Sequence, residues 1–252
     1  MPFWRQRKRK SCLYNWIVLY AEKYLFNTPQ GAALLRKKQP PFVFQPKSVE
    51  MKIICVGRNY ADHAKELNNA VPDAPMLFIK PETAVLQDGK PFYYPEFSKN
   101  THYELEIVLR ICKTAKCVEP EFAGNYYDRI TLGLDFTARD LQDQLKSKGH
   151  PWEIAKAFDA SAVIGAWQAF EEYEGQNIDF KLLKNGAVAQ VGNRADMIFD
   201  FNTLVSYASR FFTLKQGDLI FTGTPAGVGP IQIGDQLEGF LGEKPVLKCQ
   251  IK

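Results

Sequence analysis

Apolar residues along most of the chain come in short runs, each closed by Gly, Pro or Asn. The runs at 53–56, 76–79, 103–111, 130–134, 187–191 and 218–222 predict β-strands. Apolar positions at helical spacing are fewer and cover 61–68, 138–147 and 201–210. Strands and helices do not alternate regularly, which disfavours a doubly wound parallel sheet. The expected fold class is α+β: one β-rich domain over 51–252, with few short helices.

Composition leaves that picture unchanged. Of 252 residues, 46% are hydrophobic and 24% charged, which argues against disorder, collagen-like repeats and a polytopic membrane protein. Charge adds a division. The net +4 combines a segment 1–50 with 10 basic and 2 acidic residues, net +8, and a body 51–252 with 22 basic and 26 acidic residues, net −4. A nucleic-acid partner needs a basic face on the folded body, and the body's sequence suggests none.

The basic segment opens with Arg5, Arg7, Lys8, Arg9 and Lys10, followed by an apolar stretch over 13–21. That order resembles a signal peptide, but Asn15 interrupts the stretch and no small-residue cleavage site follows. It is also far short of the roughly 20 residues that span a bilayer. Scarcity of acid fits a mitochondrial transit peptide, although only Ser11 and Ser48 supply serine. Pro40, Pro41 and Pro46 read as a linker. The preferred reading is a loosely attached extension, translated from upstream of a natural start at Met51. Five cysteines without a C-x-x-C spacing argue against a disulfide framework or structural zinc. Buried free thiols in a reducing cytoplasm are expected.

Candidate chemistry begins at the strand 102–110. Period 2 places Glu104 and Glu106 on one face, with Leu105, Ile107 and Leu109 on the other. Two neighbouring carboxylates are costly to bury without a positive partner, so a solvated edge strand is the competing reading. A third acid, Asp135, ends the apolar run 130–134 just before a helix whose N-cap is expected at Thr137. Three carboxylates without nearby Cys or His make a hard oxygen donor set, suited to Mg²⁺ or Mn²⁺ rather than zinc.

Several motifs in order then resemble the fumarylacetoacetate hydrolase family. They are the run Gly57-Arg58-Asn59-Tyr60-Ala61-Asp62-His63-Ala64-Lys65-Glu66, the Glu104-x-Glu106 strand, and Asp135-Phe136-Thr137-Ala138-Arg139-Asp140-Leu141-Gln142. Gly149-His150-Pro151-Trp152, Lys156-Ala157-Phe158-Asp159, Asn185-Gly186 through Gln190, and the run 222–230 continue the match. It covers essentially all of 51–252, nearest to the short acylpyruvase and oxaloacetate decarboxylase-like members.

The resemblance implies a mixed β-roll, a homodimer, and Mg²⁺ or Mn²⁺ held by Glu104, Glu106 and Asp135. It implies a catalytic dyad of His63 and Glu66 on a short lid helix, and an i, i+3 spacing does put both on one helical face. Lys156 and Gln142 match positions that contact substrate or developing charge, and Arg139 and Thr224 match positions near the substrate carboxylate. Arg58 and Tyr60 complete the expected substrate-binding set. Each has a plain structural alternative: Lys156 as a surface loop residue, Arg139 paired with Asp143, Gln142 as ordinary helix polarity, and 222–230 as a tight turn.

The expected activity is cleavage of acylpyruvates such as acetylpyruvate and fumarylpyruvate to pyruvate and a carboxylate, with oxaloacetate decarboxylation through the same enolate. A small 2-oxo acid is the expected partner, with no nucleic acid or membrane, in the cytoplasm. The family rivals are a 2-hydroxyhepta-2,4-diene-1,7-dioate isomerase and a 5-oxopent-3-ene-1,2,5-tricarboxylate decarboxylase. A non-catalytic 2-oxo acid binder is the rival of another class.

Overall fold

The computed structural model describes residues 51–66, 71–87 and 89–252. The expectations for segment 1–50, and for the part of the first helix beyond Glu66, fall outside these residues. Strand β1 (Ile53–Gly57) leads into helix α1 (Ala61–Glu66) and strand β2 (Met76–Lys80). Strands β3 (Thr101–Tyr103) and β4 (Leu105–Ile111) precede helix α2 (Pro120–Ala123) and strand β5 (Tyr127–Asp135). Next come β6 (Thr137–Ala138), α3 (Arg139–Ser147), α4 (Glu153–Lys156), β7 (Ala162–Ile164) and β8 (Gln168–Ala169). The remainder is β9 (Asp179–Lys184), β10 (Ala187–Asn193), α5 (Phe201–Phe211), β11 (Leu219–Phe221), β12 (Gly229–Pro230), β13 (Gln236–Leu241) and β14 (Lys244–Gln250).

Among the described residues, three sheets result. The largest runs β2-β1-β11-β4-β5-β7, with β8 also paired to β5; a four-stranded sheet runs β10-β9-β13-β14, and a small one runs β12-β3-β6. Within the largest sheet only β1 and β11 pair in parallel. Its central strands are apolar on both faces because both faces are covered. Leu105, Ile107, Leu109, Leu132 and Leu134 pack with Phe180, Leu182, Leu237 and Leu247 of the four-stranded sheet. On the opposite face Ile53, Cys55, Val108, Leu219 and Phe221 form a second core with Phe78 and Trp167.

Three local expectations are corrected. The strand predicted over 103–111 breaks at Glu104, because Tyr103 belongs to the small sheet while Leu105 pairs with Leu134 in the large one. Thr137 is not an N-cap: it is drawn into the β3–β6 ladder opposite His102, and Ala138 stands at the helix start without a side-chain cap. Cys55 and Cys249 are buried as expected, but Cys112 is half-buried and Cys117 exposed, since both lie in the loop region after the edge of β4. Among the described residues no helix is long and apolar enough to cross a membrane.

Candidate active site

The break at Glu104 builds the site. The residue sits where the chain passes from the small sheet to the large one, and its carbonyl accepts the Asp135 N–H at 2.9 Å. The β4–β5 register, with Glu106 opposite Gly133, then brings the two acids of one strand beside the acid ending the next. Carboxylate oxygens of Glu104, Glu106 and Asp135 lie within 4.8 Å of one another. The solvated-edge reading fails, because β4 is flanked by β11 and β5 and the two glutamates are 5% and 2% exposed.

Burying three acids requires compensation, and three cations supply it. Lys156 Nζ donates to Glu104 Oε2 at 2.7 Å and to Asp135 Oδ2 at 2.9 Å. Arg139 Nη2 donates to Glu104 Oε1, while its Nη1 donates to Gln142 Oε1 at 2.6 Å. The third cation, Lys80, is one that sequence reasoning missed. It is fully buried, with Nζ 2.7 Å from Asp135 Oδ1 and donating to the Ser161 carbonyl and hydroxyl at 3.0 and 2.9 Å. A lysine at a strand end before Pro81 carries no local mark of burial. Its only signal was placement in the apolar run beginning at Met76.

The charges are unequally shared. Burial pushes the Glu104 carboxyl up, but Lys156 and Arg139 outweigh it and hold Glu104 below the ordinary range. Burial pushes Glu106 well up, and the neighbouring Asp135 and Glu104 charges push the same way. Glu106 accepts the Gly223 N–H at 2.8 Å. Burial opposes protonation of Lys156, yet Asp135 and Glu104 raise its affinity for the proton above the ordinary value. Glu106 is thus a buried carboxyl short of positive charge beside two others, which is a set that a hard divalent cation fits.

His63 lies over this cluster on α1. It is 5% exposed, with Nδ1 3.3 Å from Glu66 Oε2. Glu66 in turn accepts the Gly227 N–H at 3.1 and 3.2 Å, which ties the helix to the turn 222–230. Burial lowers the His63 pKa, with the Glu104 and Glu66 charges opposing. Because a carboxylate only accepts, Nδ1 carries the hydrogen and Nε2 is the free base.

The cleft is lined by Arg58, His63, Glu104, Glu106, Asp135, Arg139, Gln142, Lys156 and Thr224, together with Met76, Phe78, Lys146 and Trp152, which sequence reasoning did not select. Arg139, Gln142 and Lys156 are all buried, so their surface readings fail, and Arg139 pairs with Glu104 rather than Asp143. Tyr60 is not among the residues lining this cleft. It is 3% exposed, packs edge-on against Phe180, and lines a separate cavity with Asp62 and Pro225.

The turn 222–230 is more than a connection. Thr222 bonds the Ile107 carbonyl through N–H and hydroxyl at 3.1 and 2.9 Å, and buried Asn59 donates to the Thr222 carbonyl at 2.8 Å. Gly223 adopts φ +99°, and a Cβ there would lie 2.6 Å from Asn59 Cβ. Only glycine lets the chain turn here and aim its N–H at Glu106.

Residues 52–252 match the family described as fumarylacetoacetate (FAA) hydrolase, C-terminal. A mitochondrial oxaloacetate tautomerase of Bos taurus is 42% identical over 201 residues, 79% of this chain and 90% of that protein. An oxaloacetate tautomerase of Escherichia coli K12 is 44% identical over 188 residues, 74% of this chain and 86% of that protein. Among solved structures, fumarylpyruvate hydrolase from Pseudomonas aeruginosa in complex with Mn²⁺ and pyruvate superposes with a TM-score of 0.75 at 36% identity. The match covers 80% of this chain and 89% of that one.

Proposed function

The chain belongs to the fumarylacetoacetate hydrolase family, and from that premise we propose that it is a Mg²⁺- or Mn²⁺-dependent enzyme acting on small 2-oxo acids through their enolates. The observation that carries the reading is the buried triad of Glu104, Glu106 and Asp135 under His63, whose Nδ1 lies 3.3 Å from Glu66 Oε2. Oxaloacetate is the first substrate, by likeness to the tautomerases, and its keto–enol interconversion was not among the reactions expected from the sequence. Hydrolysis of acylpyruvates is the second reaction of the same site, favoured by the His63–Glu66 dyad.

Glu104, Glu106 and Asp135 would hold the cation, whose contribution when bound is Lewis-acid polarisation of the 2-oxo group. The remaining work falls to the chain. His63 Nε2 accepts a proton, from C3 of oxaloacetate in tautomerisation, where a proton is then returned to the 2-oxo oxygen to give the enol, or from water in hydrolysis, while Glu66 holds Nδ1–H. In hydrolysis the water oxygen adds to the distal carbonyl and the C–C bond breaks. A carboxylate leaves, and the pyruvate enolate takes a proton at carbon. Lys156 keeps its own proton and offers a fixed positive charge to the enolate. Arg139, Gln142 and Thr224, with Arg58 at the rim, offer donors to the substrate carboxylate.

A non-catalytic binder has no need of an oriented base, which counts against that rival. The deciding experiment compares chelator-treated protein with protein reloaded with Mg²⁺ or Mn²⁺, on oxaloacetate, acetylpyruvate and fumarylpyruvate. Metal-dependent turnover of oxaloacetate or an acylpyruvate is expected; equal rates with and without metal overturn the reading. A homodimer and a cytoplasmic location belong to the same proposal, checked by sedimentation and by fractionation.

A further inference from the structure

Gln190 belongs to neither the acid cluster nor the dyad, and it comes from the other large sheet. Its side chain is 1% exposed and makes three hydrogen bonds. Oε1 accepts the Leu105 N–H at 2.9 Å, and Nε2 donates to the Thr224 hydroxyl at 2.8 Å and the Pro225 carbonyl at 3.0 Å. The β9–β10 ladder shifts register between Val188 and Gln190, leaving Ala189 as an extra residue. A bulge re-aims the side chain beside it. The turn packs directly on this bulge, since a Cβ at Gly227 would lie 2.6 Å from the Ala189 carbonyl.

The partners settle which way the amide points. A backbone N–H only donates and a carbonyl only accepts, so oxygen faces Leu105 and nitrogen faces Pro225. The same nitrogen therefore donates to Thr224 Oγ1, and the Thr224 hydroxyl must accept. Its own proton finds no acceptor among the described residues, while the side chain lines the cleft. Resting on the reading of the cleft as a 2-oxo acid site, we propose that Gln190 is a positioning residue that, by donating to Thr224 Oγ1, leaves the Thr224 hydroxyl proton to be donated to the substrate's anionic oxygens.

The test uses the full chain loaded with Mn²⁺ and oxalate as a non-reacting planar dianion, with binding measured by calorimetry and folding by thermal melting. Gln190→Met keeps the shape and removes the bonds; Thr224→Val removes the hydroxyl; Thr224→Ser restores it. Both Gln190→Met and Thr224→Val weaken oxalate binding about three- to tenfold, the size of one hydrogen bond. The double variant is no weaker than Thr224→Val alone, and Thr224→Ser binds as wild type. For oxaloacetate, KM rises in the same proportion while kcat moves less. Unchanged oxalate affinity in Thr224→Val overturns the proposal even where Gln190→Met fails to fold. Losses that add in the double variant overturn it too, since they assign the two residues separate roles. A wild-type protein that binds no oxalate sinks the 2-oxo acid reading and the donor role together, whereas normal wild-type binding with an indifferent Thr224 sinks the donor role alone.

Discussion

Replacing Lys80 by methionine isolates the buried compensation on which the acid cluster depends. Methionine keeps an unbranched stem and removes the ammonium, so packing changes little while four groups lose a partner: Asp135 Oδ1, the Phe136 carbonyl, the Ser161 carbonyl and the Ser161 hydroxyl. Deleting one member of a buried ion pair costs about 3–5 kcal/mol, because the other charge stays behind. Asp135 retains Lys156 at 2.9 Å on its second oxygen, which places the expected loss at the lower end, about 3 kcal/mol. At about 2–4 °C per kcal/mol for a domain of this size, melting falls by about 6–12 °C. The assay is thermal melting of chelator-treated protein, repeated with saturating Mn²⁺. A dication beside Asp135 supplies positive charge that the substitution removed, so the deficit narrows when metal is added. A variant that melts within about 2 °C of wild type without metal, against the loss expected for a broken buried pair, refutes the reasoning. So does a deficit that widens with Mn²⁺.

Three further outcomes follow from the site. Glu106 is held above the ordinary carboxyl range, first by burial and then by Asp135 and Glu104, so the folded metal-free protein keeps a proton that the unfolded chain releases. Stability from this group is full below the unfolded value and falls as pH rises toward the folded one. A cation binds the ionised form, so the rise in melting temperature caused by Mn²⁺ grows as pH rises above the unfolded carboxyl value of about 4.3, with proton release on binding; a flat or inverted profile contradicts this. Since burial lowers the His63 pKa, the acid limb of kcat/KM for acylpyruvate hydrolysis lies below the free histidine value of about 6.5. His63→Ala lowers that activity about 10²–10⁴-fold, and full activity in the variant removes the base role. Gly223→Ala forces a Cβ against Asn59 and a side chain into positive φ, costing about 1–3 kcal/mol. It also weakens Mn²⁺ binding by moving the amide on Glu106; unaltered metal affinity in a destabilised variant shows that the amide is not needed to aim the carboxylate.

Part of the candidate site was legible from period: Glu104, Glu106 and Asp135 sit at strand positions that the apolar runs mark. His63 and Glu66 share a helical face, but it was the family resemblance that singled them out. The three expected helices form, ending or starting within a residue or two of their predicted limits where described. Strands β9, β13 and β14 were not anticipated. Their lysines and glutamates alternate with Phe180, Leu182, Leu237 and Leu247 on a sheet with one covered face, a pattern easily passed over as surface.

What the sequence determined by itself is local: element type, the acidity of two strand segments, and the division into a basic segment and an acidic body. What tertiary structure decided is which charges meet. Lys80, Lys156 and Arg139 reach the acids from three different elements, and Gln190 arrives from another sheet. The physical reason is that burying a charge is unfavourable until a partner is in place. Partners distant in sequence meet only when sheet order and register set them side by side, and no periodicity within one segment records that.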